Sequence, residues 1–438
     1  MSRNSVIKSD SSSVIAELSL RLKNLFNNRF VKNAGWISGC ELINRVTRLV
    51  TAIVLARYLS PLEFGIAAIA LTANDLIKVL AQNGVGAKIV QAHENELEAI
   101  CQAAYRINWL FCGGLFLLQL GVACIVGVYY QNMDVAWMIA FLSIVYLFMP
   151  FGLVQAFLLI RANRLNVNAA VSATQTSIDN LITILFAIMG MGVWAIIVPK
   201  VLVAPIWLIG IRINQKWIPQ ATVSPAPMML ILNYGKNILG AEINKALRLH
   251  ADNLLVAFFL GIEAAGIYFF AKNAGLGISL AFINAFNQSL FAHLCEFSRQ
   301  KEKLRAEFAR SLKIILFCLF PIILLQGGLA HWYVPVVFGE QWSDATTILM
   351  LLCFSALPRP FGEAASELLK AIGRVEVVFK WNMLFSLIFM LSILCGQLFG
   401  LLGVAIGVLL AHCLYPLFCL WSLNLAFNDS KTLVPVKL

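Results

Sequence analysis

The sequence predicts an all-α polytopic membrane protein with twelve transmembrane helices in two six-helix lobes related by a parallel internal repeat. Three observations carry this expectation. Of the 438 residues, 60% are hydrophobic and only 13% charged, with mean hydropathy +0.82, whereas roughly a quarter of a soluble domain is charged. Continuous apolar runs of about 20 residues, enough to cross roughly 30 Å of hydrocarbon, begin near residues 34, 62, 105, 135, 168, 192, 233, 264, 311, 344, 378 and 402. Strand spans would instead alternate with period two. Short motifs also recur in the same order between the first and second halves.

The chain opens with a polar, basic tail, residues 1–33, that has no secretory pattern. Ile15, Leu18, Leu22, Leu25 and Phe26 fall at helical spacing among Arg21, Lys23 and Arg29, as in a helix lying on the inner leaflet. A first lobe over 34–213 follows, then a cytoplasmic linker over 214–232 with Pro219, Pro225 and Pro227, a second lobe over 233–428 and a short tail over 429–438. Loop charge tests the count: 24 of the 33 Lys and Arg fall on the even-numbered connections and the tails, and the outer loops 129–134 and 331–344 hold none. Positive charge kept inside places both termini in the cytoplasm. It also accounts for the net charge of +11, so nucleic acid is not expected as a partner. The run Glu296 to Lys313 reads as a solvated cytoplasmic helix.

The repeat lies at slowly growing offsets. Ala56 to Ile66 overlies Ala257 to Ile267 at 201, sharing Gly65 and Gly266. Pro150-Phe151-Gly152 with Arg164 recurs at 210 as Pro360-Phe361-Gly362 with Arg374, and Gly192-Val193 with Pro205 recurs at 211 as Gly403-Val404 with Pro416. An even number of helices per half makes both halves enter from the same side, so the relating axis runs along the membrane normal. The space between such halves is the usual place for a substrate.

Charge inside the apolar segments supplies the candidate site. The first segment carries Glu41, Arg45 and Arg48 at i, i+4 and i+7, one stripe of a helix. An arginine in hydrocarbon costs roughly 2.5–3.5 kcal/mol on insertion scales, so such residues face an interior or a wet cavity. The seventh segment repeats the pattern with Glu242, Lys245, Arg248 and Asp252. One reading is pairing within each helix; the other is an anion site between the halves, where surplus cations attract phosphate, Arg by bidentate bonds and Lys as a point charge. Asn74, Asp75, Lys78 and Gln82 in the second segment, and Lys272, Asn273, Asn284, Asn287 and Gln288 in the eighth, serve either that cavity or interhelical hydrogen bonding. Lys272 has no acid one turn away, which favours the cavity. In the tenth segment Pro358-Arg359-Pro360 breaks the helix ahead of Glu363 and Glu367. The cationic candidates are thus Arg45, Arg48, Lys78, Lys245, Arg248, Lys272 and Arg359. Asp75, Asp252, Glu363 and Glu367 are candidate carboxylates for coupling to H+ or Na+.

No enzyme is expected. The five histidines lack ligand spacing, no phosphate-binding GxxxxGK[ST] motif occurs, and the ten cysteines form no CxxC pair. Neither a cofactor nor a metal site follows.

Residues 54 to 90 carry a resemblance to a known family. Leu55-Ala56-Arg57, Leu59, Pro61, Phe64-Gly65, a polar second helix and the run Gly86 to Gln91 resemble the signature of Wzx-type polysaccharide transporters, flippases of the MOP superfamily. Gly192-Val193-Trp194-Ala195 adds to the likeness; the long N-terminal tail departs from it. The resemblance implies a MATE-like fold in the bacterial inner membrane that moves undecaprenyl-diphosphate-linked oligosaccharide outward by alternating access, for O-antigen, capsule or exopolysaccharide. It implies a lipid-linked oligosaccharide, membrane lipids and other polysaccharide assembly proteins as partners. A multidrug efflux carrier of the same superfamily, a membrane polymerase or ligase using lipid-linked sugars, and a non-transporting scaffold are the alternatives. The first would favour an acidic cavity, the second a large outer loop, and the third no intramembrane charge.

Overall fold

Helix follows helix through almost the whole chain, because long apolar runs in a membrane must satisfy every backbone group internally. The computed structural model describes residues 29–81, 85–220, 228–298 and 300–427. The interfacial helix expected in the tail lies outside these, as do the side chains of residues 29–42, Lys245 and Arg248.

The elements in order are α1 Arg29–Tyr58, α2 Pro61–Val79, α3 Val85–Gln91, α4 Glu94–Tyr130, α5 Met133–Leu142, α6 Val145–Phe148, α7 Pro150–Arg161, α8 Leu165–Ile188, α9 Trp194–Leu202 and α10 Ala204–Asn214. Then come α11 Met228–Phe297, α12 Lys301–Gly328, α13 Ala330–Tyr333, a π-turn Val334–Phe338, a 3-10 turn Glu340–Trp342, α14 Ala345–Ser355, α15 Arg359–Ala371, α16 Val375–Gly396, α17 Gly400–His412 and α18 Leu414–Phe427. Seven described helices or helix runs are long and apolar enough to cross a membrane, or eight if the pair bent by 57° ahead of Pro150 counts as one span. The chain is a multi-pass membrane protein.

Several expected boundaries move. The 37 residues of α4 start at Glu94 rather than near 105, and extend roughly 55 Å, well beyond the hydrocarbon. Its polar first turns are helical because they pack on α3 and α7, burying Ile100, Cys101, Ala103 and Ala104. The run Glu296 to Lys313 is not one solvated helix. It breaks between Phe297 and Lys301, and Leu304 and Phe308 are buried in a cluster with Leu290, Leu294, Leu368 and Leu369. The linker is tied to the first half: the Gln155 side chain donates to the Trp217 carbonyl at 3.0 Å, and the Trp217 indole donates to Glu98 at 3.0 Å.

The repeat is written into the backbone. Ser60, which caps α2 through a reciprocal bond with Glu63, has its counterpart 201 residues on at Gly261, where α11 turns sharply with φ +88°. Asn163 and Gly373, 210 apart, both take positive φ. The following Arg164 and Arg374 share backbone angles near φ −95°, ψ +50°, and their amides close onto Leu159 and Leu369, again 210 apart, at 2.9 and 2.8 Å. Gly152 abuts Trp207 where α7 meets α10, and Gly362 abuts Tyr415 where α15 meets α18.

The most extensive packing between the two halves is the crossing of α2 with α11. A Cβ at Gly65 would lie 1.9 Å from the Ile262 carbonyl oxygen, and one at Gly266 would lie 1.9 Å from the Pro61 carbonyl oxygen. Under the 201 offset Gly65 maps to Gly266 and Pro61 to Ile262, so each contact is the image of the other. This crossing lies at the end that the loop charges predict to face outward, called here the outer end.

Candidate functional site

Below that crossing, charged and polar side chains from both halves converge. Asp75 is exposed on α2, on the same face as Gly65 and the buried Thr72. Its carboxylate lies within electrostatic range of Tyr146 on α6 and of His250 on α11, and His250 is in turn within range of Asp252 and Lys272. Beside Asp75, the Asn74 side chain accepts from Gln119 at 3.4 Å, and the Asn74 carbonyl accepts from Tyr146 at 3.3 Å. Lys78 is exposed one turn further along.

Lys272 is not a bare cavity cation. Its carboxylate partner comes from across the bend at Gly261 rather than from its own helical turn. Nζ sits 2.7 Å from Asp252 and donates to the Leu249 carbonyl at 2.9 Å. Asp252 is buried and also accepts from the Tyr268 hydroxyl at 3.0 Å and the Asn253 amide at 2.9 Å. Both oxygens of this carboxylate are thereby engaged, as a buried charge requires. Asp252 is ion-paired and hydrogen-bonded in this arrangement.

The other acids are engaged as well. Asn287 on α11 donates to Glu363, and Glu367 pairs with Lys370 at 2.8 Å rather than with Arg359. Arg359 is partly buried at the start of α15, after the proline-bounded break, within range of Tyr268. Its Nε is buried without a hydrogen-bond partner among the described residues. Lys200, a further intramembrane cation, pairs with Asp179 at 3.1 Å.

The arginines of α1 occupy a different wall. This helix packs chiefly along α8, and Asn180 donates to the Thr47 hydroxyl at 2.9 Å. Ile43, Val46, Leu49 and Val50 form an exposed apolar stripe suited to lipid. At 100° per residue, Arg48 points about 170° and Arg45 about 110° away from the centre of that stripe. Arg48 is exposed and Arg45 partly so. The element of the first half that meets α11 most extensively is α2 rather than α1. Asp75 and Lys78 are thus carried by the helix of the first half that packs most extensively on α11. Glu41, Lys245 and Arg248 lie on α1 and α11, with their side chains outside the described residues. Among the described residues no group of three metal-ligating side chains occurs.

The outer end is where the halves are bonded most directly. Arg57, at the end of α1, donates from Nε to the Val337 carbonyl at 2.9 Å and from Nη2 to the Val336 carbonyl at 2.6 Å. In return Gln341 donates to the Leu59 carbonyl at 3.1 Å and also bonds the Ala56 carbonyl, which accepts from the Trp342 indole at 2.7 Å. The sequence marked Arg57 as part of the 54–90 signature without assigning it a partner and passed over Gln341 and Trp342, since partners some 280 residues away carry no local signal.

The family model described as "Polysaccharide biosynthesis protein" matches residues 54–347, about two thirds of the chain. The chain belongs to this family. Among members with curated names, it is 26% identical over 392 residues to the lipopolysaccharide biosynthesis protein WzxC of Escherichia coli (strain K12), covering 87% of this chain and 78% of WzxC. It is 24% identical over 356 residues to the succinoglycan biosynthesis transport protein ExoT of Rhizobium meliloti (strain 1021), covering 81% and 71%. Among solved structures, the inward closed conformation of the lipid II flippase MurJ superposes with TM-score 0.71 at 15% identity, covering 89% of this chain and 87% of that one. An inward-facing multidrug resistance MATE transporter of the MOP superfamily gives 0.62 at 14% identity, covering 89% and 96%. The two superpositions establish the MOP-type fold of this polysaccharide biosynthesis family member.

Proposed function

We propose that the protein is a flippase of twelve transmembrane helices in two six-helix lobes. It carries lipid-diphosphate-linked oligosaccharide from the inner to the outer leaflet of a bacterial inner membrane for surface polysaccharide. The observation that carries the reading is the set of charged side chains on α1, α2 and α11 beneath an outer end bonded across the chain's two halves. Family membership narrows the substrate class, and the arginines of α1 supply donors for diphosphate oxygens. Exposed apolar surface beside an interior charge suits a substrate whose polar head crosses while its tail stays in lipid. WzxC and ExoT, named for polysaccharide biosynthesis and transport, support the substrate class by analogy.

Coupling to H+ or Na+ falls to Asp75 on this reading, because Asp252 and Glu367 are ion-paired and Glu363 is hydrogen-bonded. The deciding experiment is export in a deletion strain complemented with Arg48→Ala, Arg248→Ala or Asp75→Asn. Loss of surface polysaccharide with accumulation of the lipid-linked intermediate, at normal membrane abundance, is expected for the arginine variants. Wild-type export by both of them removes the cationic-site reading.

A further inference from the structure

We infer that Arg57, Gln341 and Trp342 form a latch that holds the outer end shut, and that its release is the step that opens the interior outward. The inference rests on the transport reading above. Its physical basis is reciprocal capping. A helix ends with carbonyls that no intrahelical amide can reach, and these need other donors. At the end of α1 the Ala56 and Leu59 carbonyls take those donors from Gln341 and Trp342, in the second half of the chain. The π-turn Val334–Phe338 ends on the Val336 and Val337 carbonyls, and these take theirs from Arg57, in the first half. Each half thus completes a terminus of the other.

The 201-residue correspondence gives the latch a second, weaker copy. The counterpart of Arg57 is Phe258, whose carbonyl accepts from the Tyr129 hydroxyl at 3.0 Å while the two rings stack at 5.1 Å. Packing reinforces the stronger copy: Trp342 is fully buried, stacked on Phe270 at 4.0 Å and meeting Phe64 edge-on at 4.9 Å.

The bonds are placed so that they can break. Arg57 and Gln341 line a cavity of about 490 Å³ and Val336 is exposed, so water stands beside the donors, while the buried Ala56 and Leu59 carbonyls become wetted as the two faces part. A hydrogen bond exchanged for one to water changes free energy little, and the two states stay close enough in energy to interconvert. Removing donors should therefore raise the open population without unfolding the bundle.

The test places a single cysteine at Thr72, buried below the α2–α11 crossing, in an otherwise cysteine-free protein, and labels intact cells or spheroplasts with a membrane-impermeant maleimide from outside. Arg57→Ala together with Gln341→Ala is expected to label about tenfold faster than the parent, the scale set by losing hydrogen bonds worth a factor of a few each. Arg57→Lys should fall between, since an ammonium keeps the charge without the two-pronged fork. Trp342→Phe retains the stacked ring and loses only the indole donor, so it too should label faster, and it serves if the double variant does not reach the membrane. Unchanged labelling in Trp342→Phe and in the Arg57 variants, at normal abundance, overturns the latch. Labelling needs no substrate. Faster labelling in a protein that exports no lipid-linked sugar would leave the latch standing and remove the flippase reading instead.

Discussion

Asp252 and Lys272 show how charges read singly in sequence are joined by structure. Asp252 was a candidate as the last charge of the seventh segment's pattern, and Lys272 because it has no acid one turn away. The bend at Gly261 brings them to 2.7 Å, so each neutralises the other. Asp252→Ala should destabilise the protein by about 3 kcal/mol, because it strands a half-buried ammonium. The double variant Asp252→Leu, Lys272→Met should recover most of that loss. Unfolding midpoints in detergent measure both, and equal loss in single and double variants would show that the pair contributes little beyond packing. The charges themselves were legible from sequence, since ionisable residues in membrane segments stand out. Their partners were not, because the pairing depends on a turn at one of the six glycines among the 70 residues of α11.

At the level of elements, close approach and capping decide which substitutions matter. Gly65→Ala or Gly266→Ala puts a methyl group into backbone oxygen at the α2–α11 crossing, so the helices must separate; loss of export and a lowered unfolding midpoint are expected. Gly113→Ala, on a stretch of α4 with nothing within 4 Å of the added carbon, should be neutral or stabilise by roughly 0.5–1 kcal/mol, the usual mid-helix glycine penalty. Arg161 donates to the Ile89, Val90 and Ala92 carbonyls at the end of α3 and pairs with Glu94 at 2.7 Å. Arg161→Ala should free that helix end at a cost of roughly 1.5–3 kcal/mol, read as faster proteolysis between α3 and α4. The existence and order of most helices were legible from apolar run length. The starts of α4 and α12 were not, because their first turns are polar and become helical by packing on neighbours.

For the molecule as a whole, the repeat was the most informative feature of the sequence and the one the structure sharpened most. Motifs at offsets of 201 and 210 became matching dihedrals, matching hydrogen bonds and matching glycine contacts. The charge pattern adds an orientation: a fluorescent protein fused after Leu438 should be bright and an alkaline phosphatase fusion at the same point inactive, while a phosphatase inserted at Glu340 should be active. The reverse result would invert the topology. The charges of the proposed cationic site were legible in the sequence; that α2 rather than α1 makes the most extensive packing on α11 was not, because helix neighbours leave no local signal. The Gly65–Ile262 and Gly266–Pro61 contacts have the form of an isologous interface, in which residue i touches j and the image of i touches the image of j. Two separate copies of a half-length chain could make the same crossing with one glycine codon in place of two. In such a homodimer every substitution at the crossing would count twice; in the single chain each glycine can change alone, which lets the two sides of the crossing differ.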